Sequence, residues 1–320
     1  MRKALQTLRN RGRVWQARVA LAYLRLTGYT LPAYQNAGFQ TYNFRQPSDQ
    51  NLTIPKTIWA YWNDTPIPPM VQGCLHTWYQ HNPDYTIRVV RDADLPELLG
   101  ELPASLHALS PQHRADWIRL ALLHQYGGIW LDASIILTTS LAWILEQQAR
   151  SHADFVGFYI QQFTTAPDYP VVESWFMAAP PNSPFIADVL DEFTNECIPR
   201  FGAAYLQHLQ KIGIYSELVQ NIYDPDYLNL HLCMQRVMRY GPRGYRLQLA
   251  CAEHGPFFLH EAAQWNRHRF RALFGLPAQE VALPPLIKLR GNDRYGLQMC
   301  SDHHIYAPSS LLETYLTPQS

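Results

Sequence analysis

Hydrophobic positions alternate between two spacings along the chain, and the switches outline its elements. Residues 1–28 carry Leu5, Leu8, Val14, Trp15, Val19, Leu21, Leu24 and Leu26 among arginines, which predicts a helix with one apolar side. A polar, aromatic stretch over residues 30–52 reads as a linker. Ile54–Trp62 is a β-rich run closed by Asn63-Asp64, and Pro68–His81 reads as a helix stopped by Asn82-Pro83. Tyr85–Val90 is β-rich again, and Asp92–Leu99 reads as a short helix. Strand, helix, strand and helix at this spacing predict a parallel α/β sheet.

The next block is the most informative. Ser110-Pro111 supplies a helix cap and a proline at the first helical position. Trp117, Leu120, Ala121 and Leu123 then keep helical spacing up to Tyr126, and Gly127-Gly128 ends the helix because glycine takes the left-handed cap conformation. Ile129-Trp130-Leu131 reads as a short buried strand, with Asp132-Ala133-Ser134 just past its end, where open α/β sheets bind ligands. Further on, Phe155–Ile160 and Ser174–Ala178 read as strands, and Pro184–Cys197 and Asp226–Tyr240 as helices. The tail mixes short helices, prolines and loops. The expected organisation is a basic N-terminal helix and linker over residues 1–50, then one α/β domain over 51–320.

Composition narrows the class. The 320 residues are 47% apolar and 16% charged, which suits a globular core and excludes disorder. The net charge is zero, so nucleic acid is not an expected partner, but the charge is unevenly placed. Arg2, Lys3, Arg9, Arg11, Arg13, Arg18, Arg25 and Arg45 precede the first acidic residue, Asp49. The first helix therefore has two readings: it rests on an anionic bilayer, or it packs on the domain with its arginines in water. Five scattered cysteines without CxxC spacing read as reduced thiols. With no signal-peptide pattern and no apolar run of about 18 residues, the expected location is cytoplasmic, at the inner face of the plasma membrane if the helix binds lipid.

A nucleotide-sugar site needs a flat face for the base, carboxylates, charge compensation for a diphosphate, and groups that grip hydroxyls. Trp59, Tyr61 and Trp62 offer faces at the end of the first domain strand. Asp116 and Arg119 share a helical face at i and i+3. Asp132 follows across the glycine turn, so both carboxylates are placed to converge on one cleft. Each has a blander reading: a surface ion pair, a core tryptophan, a turn cap.

Together, Ile54-Pro-Lys-x-Ile-x-x-x-Trp62 and the run from Arg114 through Asp116, Arg119 and Gly127-Gly128 to Asp132 closely resemble capsular polysaccharide synthesis proteins. These are related to glycosyltransferase family 32 and, distantly, to the glucosylating clostridial toxins. The resemblance runs from about Ile54 to Trp265. It implies a GT-A, Rossmann-like α/β fold with extra helices, a nucleotide-sugar donor with UDP-sugars favoured, a glycan or glycolipid acceptor, and transfer of a hexose with retention. It places Trp62, with Tyr61 beside it, against the base, Asp116 and Arg119 on the donor sugar and phosphate, and Asp132 at the first position of the Asp-x-Asp motif. The segment around Glu173 would lie beside the donor sugar, and His260 and Trp265 would close over the phosphates.

One departure stands out: Ser134 occupies the second Asp position. The resemblance implies a divalent cation, Mn or Mg, on Asp132 with Ser134 and His260 assisting, and the serine puts that cation in question. Two rival functions follow: a non-catalytic, degenerate binder of nucleotide sugars or glycans, and a toxin-like transferase acting on protein.

Overall fold

Seven strands form one mixed sheet, with a two-stranded ladder beside it. The structure is a computed structural model that describes residues 2–47 and 52–317, with side chains from Arg11 onward. The side chains of Arg2, Lys3, Leu5, Leu8 and Arg9, and residue Asp49, lie outside the described residues. The strands are β1 (Gln40–Phe44), β2 (Thr57–Tyr61), β3 (Thr86–Val90), β4 (Gly128–Leu131), β5 (Ile135–Leu137), β6 (Phe155–Tyr159), β7 (Val172–Ala179), β8 (Tyr245–Cys251) and β9 (Leu286–Lys288). The helices are α1 (Arg2–Leu26), α2 (Pro69–His81), α3 (Leu95–Leu99), α4 (Pro111–Tyr126), α5 (Ala142–Ser151), α6 (Pro184–Glu192) and α7 (Ala203–Lys211). They continue with α8 (Tyr215–Val219), α9 (Asn229–Tyr240), α10 (Phe258–Ala262), α11 (Arg267–Phe274), α12 (Gly291–Asp302) and α13 (Leu311–Leu316).

The large sheet runs β1-β8-β6-β7-β4-β2-β3, and β5 pairs with β9. Strands β3, β2 and β4 are parallel, as the strand–helix spacing predicts. The rest of the sheet departs from the all-parallel expectation: β7 runs antiparallel between β4 and β6, and β1 antiparallel on β8. The reason is local. The connection from β6 to β7 holds turns and no helix, and a parallel return needs a crossover of a dozen or more residues, usually helical. The stretch read as a linker contributes β1, and the tail contributes β8 and β9.

Two apolar cores result. The larger lies on the seven-stranded sheet, with α4 buried against it through Trp117, Ile118, Leu120, Leu122 and Leu123. The smaller joins α1, Met70 and Cys74 of α2, Ile136 of β5, and the C-terminal helices around Phe270, Phe274 and Leu297. Helix α1 packs into this second core through Ala17, Leu21 and Leu24. Its opposite side leaves Trp15, Val19, Tyr23 and Leu26 exposed at 66%, 46%, 65% and 88%. Arg11, Arg18 and Arg25 are exposed as well. All five cysteines are free and buried. Among the described residues, no helix is long and apolar enough to cross a membrane.

Candidate active site

A cleft of about 720 Å³ opens where β2 and β4 end, between the two cores. The local sequence dictates how its floor forms. Ser110 caps α4 by accepting the His113 amide, and Gly127 and Gly128 end it at φ values of 64° and 107°, in the left-handed region glycine tolerates. A β-carbon on Gly128 would meet the Thr57 carbonyl at 2.6 Å, so only glycine lets β4 turn directly into the sheet beside β2. The tight turn delivers Asp132 to the cleft next to Asp116 on α4.

One guanidinium joins the two carboxylates. Arg119 Nη2 lies 3.2 Å from Asp116 and 3.5 Å from Asp132. Its Nη1 donates to the Ser174 carbonyl at 2.6 Å, its Nε donates to the Ala115 carbonyl, and its plane lies over Trp130 at 5.0 Å. Nearly buried and with several of its donors engaged, Arg119 is fixed in place as the keystone between the acids. Burial pushes the Asp116 carboxyl above its ordinary value, against the pull of Arg119. Burial opposes the Asp132 charge too, but Lys288 and Arg119 outweigh it and hold that carboxyl below the ordinary value.

Tyr61, Trp62, Asp116, Arg119, Asp132, Ser134 and Trp265 all line the cleft. Trp62 stands at the rim with Arg294 over its ring at 5.2 Å. The Tyr61 hydroxyl donates to Asp92 at 2.6 Å, and burial with this bond raises its pKa to about 12. Trp59 offers no platform. It is buried, and its indole N–H donates to the Gly127 carbonyl at 2.9 Å, which braces the glycine turn. Trp265 holds a left-handed backbone, φ 54°, a strain of about 1–3 kcal/mol, and lines the cleft.

The structure does not bring His260 into the cleft. It is wholly buried, stacked on Phe270 at 4.1 Å, with Nε2 2.9 Å from Asp293. Burial depresses its pKa, although Asp293 pulls the other way. His260 therefore supports the wall behind Trp265 instead of touching a ligand.

Sequence reasoning missed several lining groups. His231 of α9 is one; it faces Glu173 of β7 at 3.2 Å, both buried, and the Glu173 segment itself lines the cleft as the sequence led one to expect. On the opposite wall stand Lys288, Arg290 and Arg294. The signal for them was the basic spacing Lys288-x-Arg290-x-x-x-Arg294. It lay in a tail read only as short helices and loops.

Lys288 decides how the site suits a divalent cation. Its Nζ donates to Asp132 at 2.6 Å and to the Ser134 hydroxyl at 3.4 Å, and Ser134 in turn donates to the Leu289 carbonyl at 2.9 Å. Ser134 brings no charge, Asp132 is shared between an ammonium and a guanidinium, and His260 lies elsewhere. Two unit positive charges about 4 Å apart already repel by roughly 4 kcal/mol at a near-surface dielectric, and a divalent ion doubles this. Mg²⁺-type sites take one or two carboxylates, with waters and substrate phosphates for the remaining ligands, and here the one carboxylate in reach, Asp132, is already paired with two cations. Among the described residues no group of three or more His, Cys, Asp or Glu converges. The donor set does not fit a divalent ion.

The family model described as capsular polysaccharide synthesis protein matches residues 29–197, more than half of the chain. The chain belongs to the capsular polysaccharide synthesis protein family. The match takes in the strand with Trp62, helix α4 and Asp132. Similarity extends to the O-glycosyltransferase braB of Annulohypoxylon truncatum, 29% identical over 44% of this chain and 38% of that enzyme. It extends also to the initiation-specific alpha-1,6-mannosyltransferase of Candida albicans, 27% identical over 34% of this chain and 31% of that enzyme. This family member thus spans well under half the length of these curated relatives. Among solved structures, the galactosyltransferase LgtC with donor and acceptor sugar analogs aligns over 82% of this chain and 98% of its own. Its identity is 12% and its TM-score 0.38, too low to bear on fold or activity.

Proposed function

We propose that this family member is a glycosyltransferase that moves a hexose from a nucleotide-sugar donor, a UDP-sugar first among candidates, to a hydroxyl of a glycan or glycolipid in surface-polysaccharide synthesis. One observation carries the proposal: Asp116 and Asp132, sixteen positions apart in sequence, meet on the single Arg119 guanidinium at the floor of the cleft, with Trp62 at its rim. Membership of the family and the transferase names of the relatives support it.

In this reading the base stacks on Trp62, and Asp116 grips the sugar hydroxyls so that the anomeric carbon faces the acceptor at reacting distance. The bond from that carbon to the β-phosphate oxygen breaks, and its electron pair stays with the phosphate. The acceptor oxygen bonds the carbon on the same face, and its proton passes to a leaving phosphate oxygen, giving retention without a protein nucleophile. Positive charge beside the phosphate is where such a site gains most.

Thermal shift against UDP-, GDP-, ADP- and CMP-sugars tests donor binding. A ligand at 100 times its dissociation constant stabilises by about 2.7 kcal/mol. Transfer or donor hydrolysis by the wild type, nearly abolished in Asp116→Ala and Asp132→Ala, is the expected result. Full activity in both variants refutes the assignment.

The exposed side of α1 supports a second element of the proposal. Trp15, Val19, Tyr23 and Leu26 form an apolar stripe flanked by exposed Arg11, Arg18 and Arg25, the arrangement of an interfacial helix on anionic lipid. The packed face and the exposed apolar stripe occupy opposite sides of one helix. Packing on the domain therefore leaves this stripe free for lipid in the proposal, and a place at the cytoplasmic face of the plasma membrane would suit a glycolipid acceptor.

A further inference from the structure

We infer that the donor diphosphate is held without a divalent metal, by a cationic seat in which the Lys288 ammonium stands where the family's Asp-x-Asp motif would carry its cation. The inference rests on the nucleotide-sugar reading of the cleft. Lys288 occupies the position between the two motif residues, 2.6 Å from Asp132 and 3.4 Å from Ser134, with its side chain only 9% exposed. Lys288 leads into two further cations on the same wall. Arg290 lies over the Trp265 ring at 5.3 Å, and Arg294 lies over the Trp62 ring at 5.2 Å. Among the described residues Arg294 has no carboxylate in ion-pair range, and its buried Nε has no hydrogen-bond partner. A cation with unspent donors, at the mouth of a cleft that already holds the bracing pair Asp116–Arg119, is placed for an anionic ligand.

The chemistry is consistent with the substitution at Ser134. An Asp there would compete for the ammonium and cancel it, whereas a serine hydroxyl directs its proton to the Leu289 carbonyl and leaves Lys288 one acid to balance. When the bond from the anomeric carbon to the β-phosphate oxygen breaks, the electron pair that stays on the phosphate meets Lys288, Arg290 and Arg294, three charges already gathered at the cleft. Arg290 is itself steadied by Asp293, to which its Nε donates at 3.1 Å.

The test is calorimetric titration of the full chain with UDP, GDP and ADP, and with the matching nucleosides, in EDTA and in Mn²⁺. The expected result is that one nucleoside diphosphate binds equally well in both buffers. Lys288→Met and Arg294→Gln should each weaken it by about 10- to 100-fold, and Lys288→Met, remote from the Trp62 ring, should leave nucleoside binding as before. Arg294→Gln removes no counter-charge, so it guards against Lys288→Met failing to fold. Lys288→Arg should keep most of the affinity. Diphosphate binding that appears only with Mn²⁺ overturns the inference and leaves the transferase reading standing. So does undiminished diphosphate affinity in folded Lys288→Met and Arg294→Gln. If neither diphosphates nor nucleosides bind in either buffer, the nucleotide-sugar reading falls, and the inference with it.

Discussion

Lys288 Nζ sits 2.6 Å from Asp132 Oδ2, although 156 positions separate the two residues. The pair is the charged seam between the two cores. Asp132→Asn would leave a nearly buried ammonium without its acid. Breaking a buried pair costs about 3–5 kcal/mol, and the partial exposure of Asp132 places the expected loss at the lower end. Urea unfolding of the variant measures it. An unchanged midpoint would mean that the pair contributes nothing to holding the seam.

Arg119 should tolerate even less. Arg119→Met strands Asp116, leaves Asp132 to Lys288 alone and frees the Ser174 and Ala115 carbonyls, so a loss of about 3–5 kcal/mol is expected. Arg119→Lys keeps the charge but has no planar fork to reach two acids and two carbonyls together. It should fold with reduced stability and lose most transfer activity. Wild-type kinetics in Arg119→Lys would show that charge alone suffices.

Trp62 is only partly buried at the edge of the main cluster, which suits the base-stacking role proposed for it. Trp62→Ala should weaken nucleoside binding by about 1–3 kcal/mol, the usual worth of one stacked base. Calorimetry with nucleoside alone isolates this term. Equal affinity in the variant would remove Trp62 from the base site.

Acid should unfold the second core through His260 and Asp293. Burial holds the His260 pKa below its ordinary 6.5, so the unfolded chain takes up that proton first and stability falls as pH drops below 6.5. Asp293 is opposed by burial but held at about 2 by His260 and Arg290, so its contribution is present above 3.8 and lost as pH falls toward 2. His260→Gln retains a donor for Asp293 and removes the first loss. Denaturation midpoints from about pH 7 down to about pH 5 should therefore decline less steeply in the variant than in the wild type. Parallel declines would contradict a neutral His260.

The α1 stripe is tested by flotation with vesicles containing phosphatidylglycerol. Wild type should float, with each arginine near the surface contributing roughly 1 kcal/mol. The triple variant Trp15→Ser, Val19→Ser, Tyr23→Ser should stay in solution. Its thermal stability should be unchanged, because these side chains are exposed and touch no core. Flotation of the triple variant would assign the contact elsewhere.

The parallel half of the sheet and the cleft floor were legible in the sequence because their signals are local. Pro111 and Gly127-Gly128 bracket α4, and Ile129–Leu131 is apolar at every position. Asp116 and Arg119 lie one turn apart. Strands β1, β8 and β9 were not legible: β1 reads Gln-Thr-Tyr-Asn-Phe, mostly polar because it is an edge, and β9 has only three residues. Their pairing is decided by partners far along the chain, as with Gln40 and Leu249, Phe155 and Leu247, and Ile135 and Lys288. Trp59 and Trp62 show the limit from the other side. Trp59 lies in the middle of β2 and Trp62 just past its end, and only packing separates the brace from the rim. His260 fails for the same reason: a motif position fixes its place in the chain, not which way its ring faces.

The β5–β9 ladder has three rungs, Ile135 with Lys288, Ile136 with Ile287 and Leu137 with Leu286. Just before them the Thr138 amide donates to the Pro285 carbonyl and the Thr138 hydroxyl to the Pro284 carbonyl at 2.6 Å. Strand side chains alternate faces, so inserting or deleting one residue after Pro285 would turn Lys288 away and present an aliphatic neighbour to Asp132. The two prolines and Thr138 thus work as an alignment pin. An insertion in an exposed loop between Thr138 and Pro284 leaves this register alone, but in the three residues beyond Pro285 a single-codon insertion is enough to swap a charge for a methyl group at the centre of the molecule.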